Sequence, residues 1–258
     1  MKIEKLHIFP EEKDAHLITY IQDNPSEMDN PPRRAMLICP GGGYEWVSNR
    51  ESEPIALQFL ARGYNVFVLK YSTGKNACNL KPLREIEAAI KHIRDNATDY
   101  NVRVDKVFVI GFSAGGHLAL SSGTLLPKEL RPNAMVLCYP VVTATCPTHM
   151  GSLYNFCGTE SPSDEQKHLF SLDLHVDSNT PPAFIWHTEN DDAVPVQNSK
   201  NLALALEKHN VKHELVLFPD GHHGLSLATS ETCKEIPEDE PHPCSVWVDL
   251  ADKWLKKL

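Results

Sequence analysis

The sequence predicts an α/β protein, a mostly parallel sheet covered by helices on both faces. Three observations predict it. Short apolar runs alternate with amphipathic stretches from residue 35 onward, as strands buried on both faces alternate with the helices that cover them. The run Val107-Phe108-Val109-Ile110 feeds directly into Gly111-Phe112-Ser113-Ala114-Gly115, reading as strand, sharp turn and helix in succession. Finally, 258 residues with 41% apolar and 23% charged side chains suffice for one sizeable core of ordinary composition.

Each element has its own signal. The first 22 residues, with the alternating His16-Leu17-Ile18-Thr19-Tyr20-Ile21, read as one or two antiparallel edge strands. Ala35-Met36-Leu37-Ile38-Cys39 is a strand ended by Pro40 and three glycines. Residues 51–62 form a helix with Ile55, Ala56, Phe59 and Leu60 on one stripe; Gly63 ends it and Val66-Phe67-Val68-Leu69 begins the next strand. Leu83, Ile86, Ala89, Ile90, Ile93 and Ala97 recur at helical spacing over 82–97, with Pro82 in the first turn. A strand over 106–110, a helix over 114–122 and a strand over 134–138 follow. After an interruption come strand 183–186, helix 196–209, strand 214–218 and a closing helix near 245–257. With no repeat and no low-complexity linker, residues 1–258 read as a single domain. The interruption at 141–181, rich in Pro, Ser, His, Cys and Gly, reads as a small cap-like insertion over the mouth of a site. The stretch 226–244, with Pro237, Pro241 and Pro243, reads as a solvated surface excursion.

Charge and cysteine usage narrow the function classes. The formal charge is −9, from 34 acidic and 25 basic residues. No Lys/Arg cluster longer than a pair interrupts it, which argues against a nucleic-acid partner. No apolar run approaches a membrane span, and the N-terminal residues lack the features of a signal peptide. A cytoplasmic location without a membrane partner is therefore expected. The seven cysteines form no C-x-x-C pair. Cys233 and Cys244 bracket a loop, but free thiols are the expectation for all seven.

Chemistry concentrates at the carboxyl ends of the strands. Ser113 is a weak nucleophile unless a base and an orienting acid accompany it. The loop after strand 183–186 supplies Glu189, Asp191 and Asp192; its D-x-x-V-P turn, closing on Val194-Pro195, favours Asp191, with Asp192 as rival. The losing carboxylate is expected to cap the following helix. The loop after strand 214–218 supplies His222 and His223, and the glycine after His223 favours it as the base. An acyl-transfer oxyanion needs two prepositioned backbone N–H donors. Ala114 is one candidate, and the loop Pro40-Gly41-Gly42-Gly43-Tyr44, through Gly42 and Gly43, supplies the other. A phosphate cradle is the weaker reading of these glycines, because no Lys-Ser/Thr follows them. Tyr44, Trp46 and Trp186 are candidate pocket residues, although aromatics beside strands are often core. His117 is expected to be a packed helix residue, and His187 to order the acid loop. The remaining histidines are too dispersed for a metal site, and no metal or organic cofactor is expected.

Taken together, the glycine loop, Gly111-Phe112-Ser113-Ala114-Gly115-Gly116-His117-Leu118-Ala119, the segment from Pro181 to Thr188 with Asp191 and Val194-Pro195, and His223-Gly224 resemble the α/β-hydrolase superfamily. More narrowly, the chain resembles bacterial esterases of the acetyl xylan esterase-like, or BD-FAE-like, group along nearly its whole length. The resemblance implies Ser113 as nucleophile, Asp191 as acid, His223 as base, and an oxyanion hole from the Gly42, Gly43 and Ala114 amides. It implies hydrolysis of short-chain esters through an acyl-serine, with a small acyl group on a carbohydrate hydroxyl as substrate. A general carboxylesterase, lipase-like enzyme or small-peptide hydrolase with the same triad is the first alternative; a non-catalytic binding scaffold is the second. Two features depart from the group. His222 stands where such sequences commonly carry glycine, and the acidic, proline-rich stretch 231–243 is longer than usual.

Overall fold

The computed structural model describes residues 1–9 and 15–258; residues 10–14 lie outside it. Strands β1 (Lys2–Leu6) and β2 (His16–Ile21) pair antiparallel at one edge of the sheet, and β2 also runs antiparallel to β4 (Asn65–Lys70). From there inward the sheet is parallel. It comprises β4, β3 (Arg33–Cys39), β5 (Val102–Phe112), β6 (Ala134–Cys138), β7 (Ala183–Thr188) and β8 (His213–Phe218). The spatial order is β1-β2-β4-β3-β5-β6-β7-β8. The chain moves outward from β3 to β4, then returns past β3 to β5. The loops leaving β3 and β5 therefore diverge, and open α/β sheets bind ligands at that switch point.

The expected period of two is visible in the core. Leu37, Val109, Leu137 and Ile185 face one apolar cluster, under α2 (Lys81–Asp95), α3 (Ala114–Thr124) and α6 (Gln197–Lys208). Their strand neighbours Met36, Phe108, Val136 and Phe184 face a second, under α1 (Glu53–Ala61) and α7 (Trp247–Leu255). Both faces are covered at the centre of the sheet, which is why the segments 35–39, 107–112 and 134–138 carry no charged residue. Strand β5 starts earlier than its apolar run suggests: Val102 already pairs with Arg33, and the polar Arg103 and Asp105 form an exposed ion pair.

Two irregular segments are more ordered than their composition indicates. Residues 141–181 hold α4 (Met150–Cys157), α5 (Asp164–Phe170) and a 3-10 turn at Leu172–His175. Ser163 and Gln166 form a reciprocal capping box that starts α5, and Phe156, Phe170 and Leu172 anchor the segment in the core. The stretch 226–244 is only in part the solvated excursion its prolines and carboxylates suggest. Leu227, Ala228, Cys233, Ile236 and Cys244 are buried in the second cluster, and the Trp247 indole donates to the Ser226 carbonyl at 2.8 Å. Between these anchors Ser230, Glu231, Lys234, Glu235 and residues 237–241 face water. All seven cysteines are free.

Close approach is most acute at Gly115, where a Cβ would lie 2.1 Å from the Cys39 carbonyl oxygen and 2.3 Å from that of Pro40. Gly63, by contrast, has open space and only a positive φ of 87° to restrict it. Gly115→Ala should lower the unfolding free energy by about 3 kcal/mol or more, against about 1 kcal/mol for Gly63→Ala. Urea unfolding of the two variants checks the ranking; equal losses would contradict the packing argument.

Candidate active site

Ser113 follows β5 and precedes α3 in a strained turn, at φ 53° and ψ −119°. The turn is held by a hydrogen bond from its N–H to the Cys138 carbonyl at 3.0 Å and from Val141 N–H to its own carbonyl at 3.1 Å. A Cβ on Gly111 would sit 2.1 Å from the Gly115 carbonyl oxygen. Glycine on either side thus lets strand, turn and helix approach. The hydroxyl is held at the strand's carboxyl end rather than dissolved in a mobile loop.

Three loops bring the expected partners together. His223 Nε2 lies 2.8 Å from Ser113 Oγ, and His223 Nδ1 lies 2.7 Å from Asp191 Oδ2. A carboxylate only accepts, so Nδ1 carries the proton and Nε2 is left to accept from the serine hydroxyl. Asp191 Oδ1 accepts from the Ala193 and Val194 amides at 2.9 and 2.8 Å. Burial opposes ionisation of Asp191. Hydrogen bonds from His187 and His223, the charge of His223 and the Val194 amide outweigh it, holding the carboxyl well below the usual carboxylate range. The aspartate is therefore ionised at neutral pH and available to support a charged imidazole.

The rival residues have other tasks. Asp192 does not cap the following helix, as expected of the losing carboxylate. It accepts from the His223 backbone N–H at 2.9 Å, a task open to it because Asp191 already takes the turn's amides. Glu189 points outward to Lys200 at 3.4 Å. His222 Nδ1 donates to the His223 carbonyl at 2.7 Å and its ring is directed away from Ser113, toward Cys233. Buried His187 orders the acid loop, accepting from Ser199 Oγ at 2.8 Å and donating to the Val194 carbonyl at 2.9 Å, with Asp191 Oδ2 at 3.3 Å. Further bonds join the acid and base loops: Thr188 Oγ1 donates to the Gly221 carbonyl at 2.7 Å, and Gly221 N–H donates to Asn190 Oδ1 at 2.8 Å.

The glycine loop passes beside the serine. Gly42 has φ +121°, and a Cβ there would meet the Trp46 carbonyl oxygen at 2.2 Å. Among the described residues, the N–H groups of Gly42, Gly43 and Ala114 have no hydrogen-bond acceptor. Ala114 is fully buried, and an orphaned buried donor beside a hydroxyl is a place for an anion. The loop is clamped by a buried residue the sequence does not advertise. Glu51 Oε2 accepts from Gly41 N–H at 2.7 Å, and Glu51 Oε1 accepts from Tyr139 Oη at 2.6 Å. The Tyr139 ring packs edge-on against His223 at 5.1 Å.

A cavity of about 210 Å³ opens over Ser113. Its walls come from the glycine loop (Gly42, Gly43, Glu45, Trp46), from Ser48, Arg50 and Glu51, from His149, Gly151 and Asn155 of the 141–181 segment, and from His223 and Gly224. Burial, then the charge of His223, lowers the His149 pKa, with Asp191 and Glu45 opposing. Of the three aromatics expected to line a pocket, Trp46 does so and is 58% exposed. Tyr44 and Trp186 do not. A positive φ of 58° turns Tyr44 inward, where its hydroxyl meets His117 Nδ1 at 2.9 Å. The strand's alternation sends Trp186 to the second cluster, stacked on Trp247 at 5.5 Å.

This arrangement belongs to an α/β hydrolase: a mostly parallel eight-stranded sheet with serine, aspartate and histidine in the loops that follow β5, β7 and β8. The match of the family model to residues 23–206 goes further, and the chain belongs to the BD-FAE family. It is 39% identical over 217 residues to endo-1,4-beta-xylanase B of Butyrivibrio fibrisolvens, covering 79% of this chain and 34% of the relative. It is 32% identical over 220 residues to acetylxylan esterase of Xylanibacter ruminicola, covering 83% and 44%. The chain thus spans less than half the length of these curated relatives. Solved structures match end to end. MGS-M1, an α/β hydrolase from a Medee basin deep-sea metagenome, has TM-score 0.84 and 39% identity, with 100% of this chain and 97% of that one covered. An acetyl ester-xyloside bifunctional hydrolase from Caldicellulosiruptor lactoaceticus has TM-score 0.86 and 32% identity, with 98% and 96% covered. Among the described residues no helix is long and apolar enough to cross a membrane.

His117 ties the site to the core. Its Nε2–H donates to the Phe170 carbonyl at 2.9 Å, Nδ1 accepts from Tyr44, and the ring stacks on Phe170. Burial lowers its pKa from 6.5 to about 4, against the pull of the Phe170 carbonyl. The proton therefore binds better to the unfolded chain. The stabilisation is complete above the unfolded value and lost as pH falls from about 6.5 toward 4, a loss of about 3 kcal/mol. Asp191 titrates below this window. Urea unfolding at pH 7 and pH 4.5 should show a steep loss in the wild type and a clearly shallower one in His117→Phe. Parallel pH profiles would refute the assignment.

Proposed function

We propose that the protein is a serine esterase acting on short acyl esters of carbohydrate hydroxyls. Ser113 Oγ attacks the ester carbonyl as His223 Nε2 takes its proton. Asp191 stabilises the resulting imidazolium. The oxyanion of the tetrahedral intermediate sits on the Ala114 amide and on those of Gly42 and Gly43. His223 then protonates the departing alcohol, leaving an acyl-Ser113 ester. Water enters, His223 removes its proton, and the acid leaves as Ser113 is regenerated. No step requires a metal or organic cofactor.

The observation that carries the reading is the continuous chain Ser113 Oγ–His223–Asp191, at 2.8 and 2.7 Å, beside unpartnered amides. The acyl and alcohol preferences rest on the cavity. A space of about 210 Å³ suits a small acyl group, and its polar rim of Glu45, Ser48, Arg50 and Asn155 suits a hydroxyl-rich leaving group. Exposed Trp46 offers a face for a sugar ring. Relatives named for acetylxylan ester and acetyl ester-xyloside hydrolysis support the same class of substrate.

Acetate release from acetylated xylo-oligosaccharides, compared with an aryl acetate, tests the proposal. The wild type should deacetylate the oligosaccharide faster than the aryl ester. Ser113→Ala should lower kcat by about three orders of magnitude or more on both and keep its unfolding free energy within about 1 kcal/mol. Cleavage of the aryl ester alone would leave a serine esterase and remove the sugar. Near-wild-type turnover by Ser113→Ala would remove the mechanism.

A further inference from the structure

The two features that depart from the group meet in space. His222, beside the candidate base, and the acidic stretch 231–243 converge so that His222 Nε2 lies 3.3 Å from Cys233 Sγ, and Cys233 Sγ lies 3.2 Å from Glu235 Oε2. All three ligand atoms fall within 4.8 Å of one another. We propose that His222, Cys233 and Glu235 form a binding site for a borderline-soft divalent cation, Zn²⁺ above all, separate from the catalytic groups.

Four observations support it. The donor set of imidazole, thiolate and carboxylate is one that zinc takes, and hard cations such as Mg²⁺ do not. Around a tetrahedral Zn²⁺, with bonds near 2.0–2.3 Å, neighbouring donor atoms sit about 3.5 Å apart, close to the two distances seen. The His222 ring is already oriented: its Nδ1–H donates to the His223 carbonyl at 2.7 Å, so the Nε2 lone pair is directed at the site, the outer bond that metal-bound histidines commonly make. Finally, the thiol has one proton for two accepting neighbours, Nε2 and the carboxylate. A cation satisfies all three lone pairs at once.

The surroundings suit a three-ligand site with one open position. Cys233 is 2% exposed and anchors the inner side, while His222 and Glu235 are exposed, leaving access for the ion and a water as fourth ligand. Arg50 donates weakly to the Thr232 carbonyl, and its charge reaches Cys233 and Glu235; the thiolate and carboxylate together outweigh it. On binding, the Cys233 proton passes to solvent as the sulfur–metal bond forms. The ion then ties the 231–243 stretch to the loop that carries His223.

The test is spectroscopic and independent of ester turnover. Chelator-treated wild-type protein titrated with Co²⁺, a probe for tetrahedral zinc sites, should bind one equivalent and develop a thiolate-to-cobalt charge-transfer band that Zn²⁺ abolishes. Cys233→Ser should lose the band. Glu235→Gln should keep it with at least tenfold weaker affinity, and Zn²⁺ should raise the Tm of the wild type but not of Cys233→Ser. Absence of the band in the wild type, or its persistence at full strength in Cys233→Ser, would overturn the proposal. Circular dichroism on each variant separates loss of ligand from loss of fold.

Discussion

The structure depends on one constraint, the approach of α3 to the ends of β3 and β5 at Ser113. The serine occupies φ 53°, a region costly to any side chain. It stays there because neighbours on every side over-determine it: the Cys138 carbonyl takes its N–H, and the Cys39 and Pro40 carbonyls lie where a methyl on Gly115 would be. Parallel strands stacked at fixed spacing make that surrounding rigid. The sheet's apolar faces are thus coupled to the aim of one hydroxyl, since any slip of β3 against β5 would also move the glycine loop.

Around this point the other groups are held by bonds that cross long stretches of chain. Glu51 links the glycine loop to Tyr139, which packs on His223. His117 links the same loop, through Tyr44, to Phe170 of the 141–181 segment. Asp192 and Asn190 fasten the base loop to the acid loop. The candidate base is thereby fixed in ring orientation and backbone position alike. Such prior ordering matters because hydrogen bonds that are already formed cost nothing at the moment charge develops.

Much of this was legible in the sequence, and the reason is local. The elbow, the glycine loop and the chain order of serine, acid and histidine are written in residues whose backbone requirements leave few alternatives, whereas spacing only favours Asp191 over Asp192 and His223 over His222. The D-x-x-V-P turn favours Asp191 in the sequence, and in the structure the Asp191 carboxylate takes the Ala193 and Val194 amides. What was not legible is long-range. Glu51 and Tyr139 are 88 residues apart, and neither residue type is unusual where it stands. Tyr44 and Trp186 looked like pocket residues because they adjoin strand ends. A positive φ in one case and strand parity in the other turn both into the core. In the 226–244 stretch the composition shows the exposed half, such as Glu238, Asp239 and Glu240, but not the anchors, because Leu227, Ile236 and Cys244 are buried at irregular intervals that carry no periodic signal.

The central claim is that the hydrogen-bonded chain from Asp191 through His223 makes Ser113 the one activated hydroxyl. Intact-mass and peptide analysis after brief exposure to a fluorophosphonate tests it most directly, with Asp191→Asn as the comparison. The account predicts a single adduct, on Ser113, formed at least a hundredfold more slowly in Asp191→Asn. Folded wild-type protein that stays unlabelled at Ser113, or labels there equally fast without the aspartate, would contradict it.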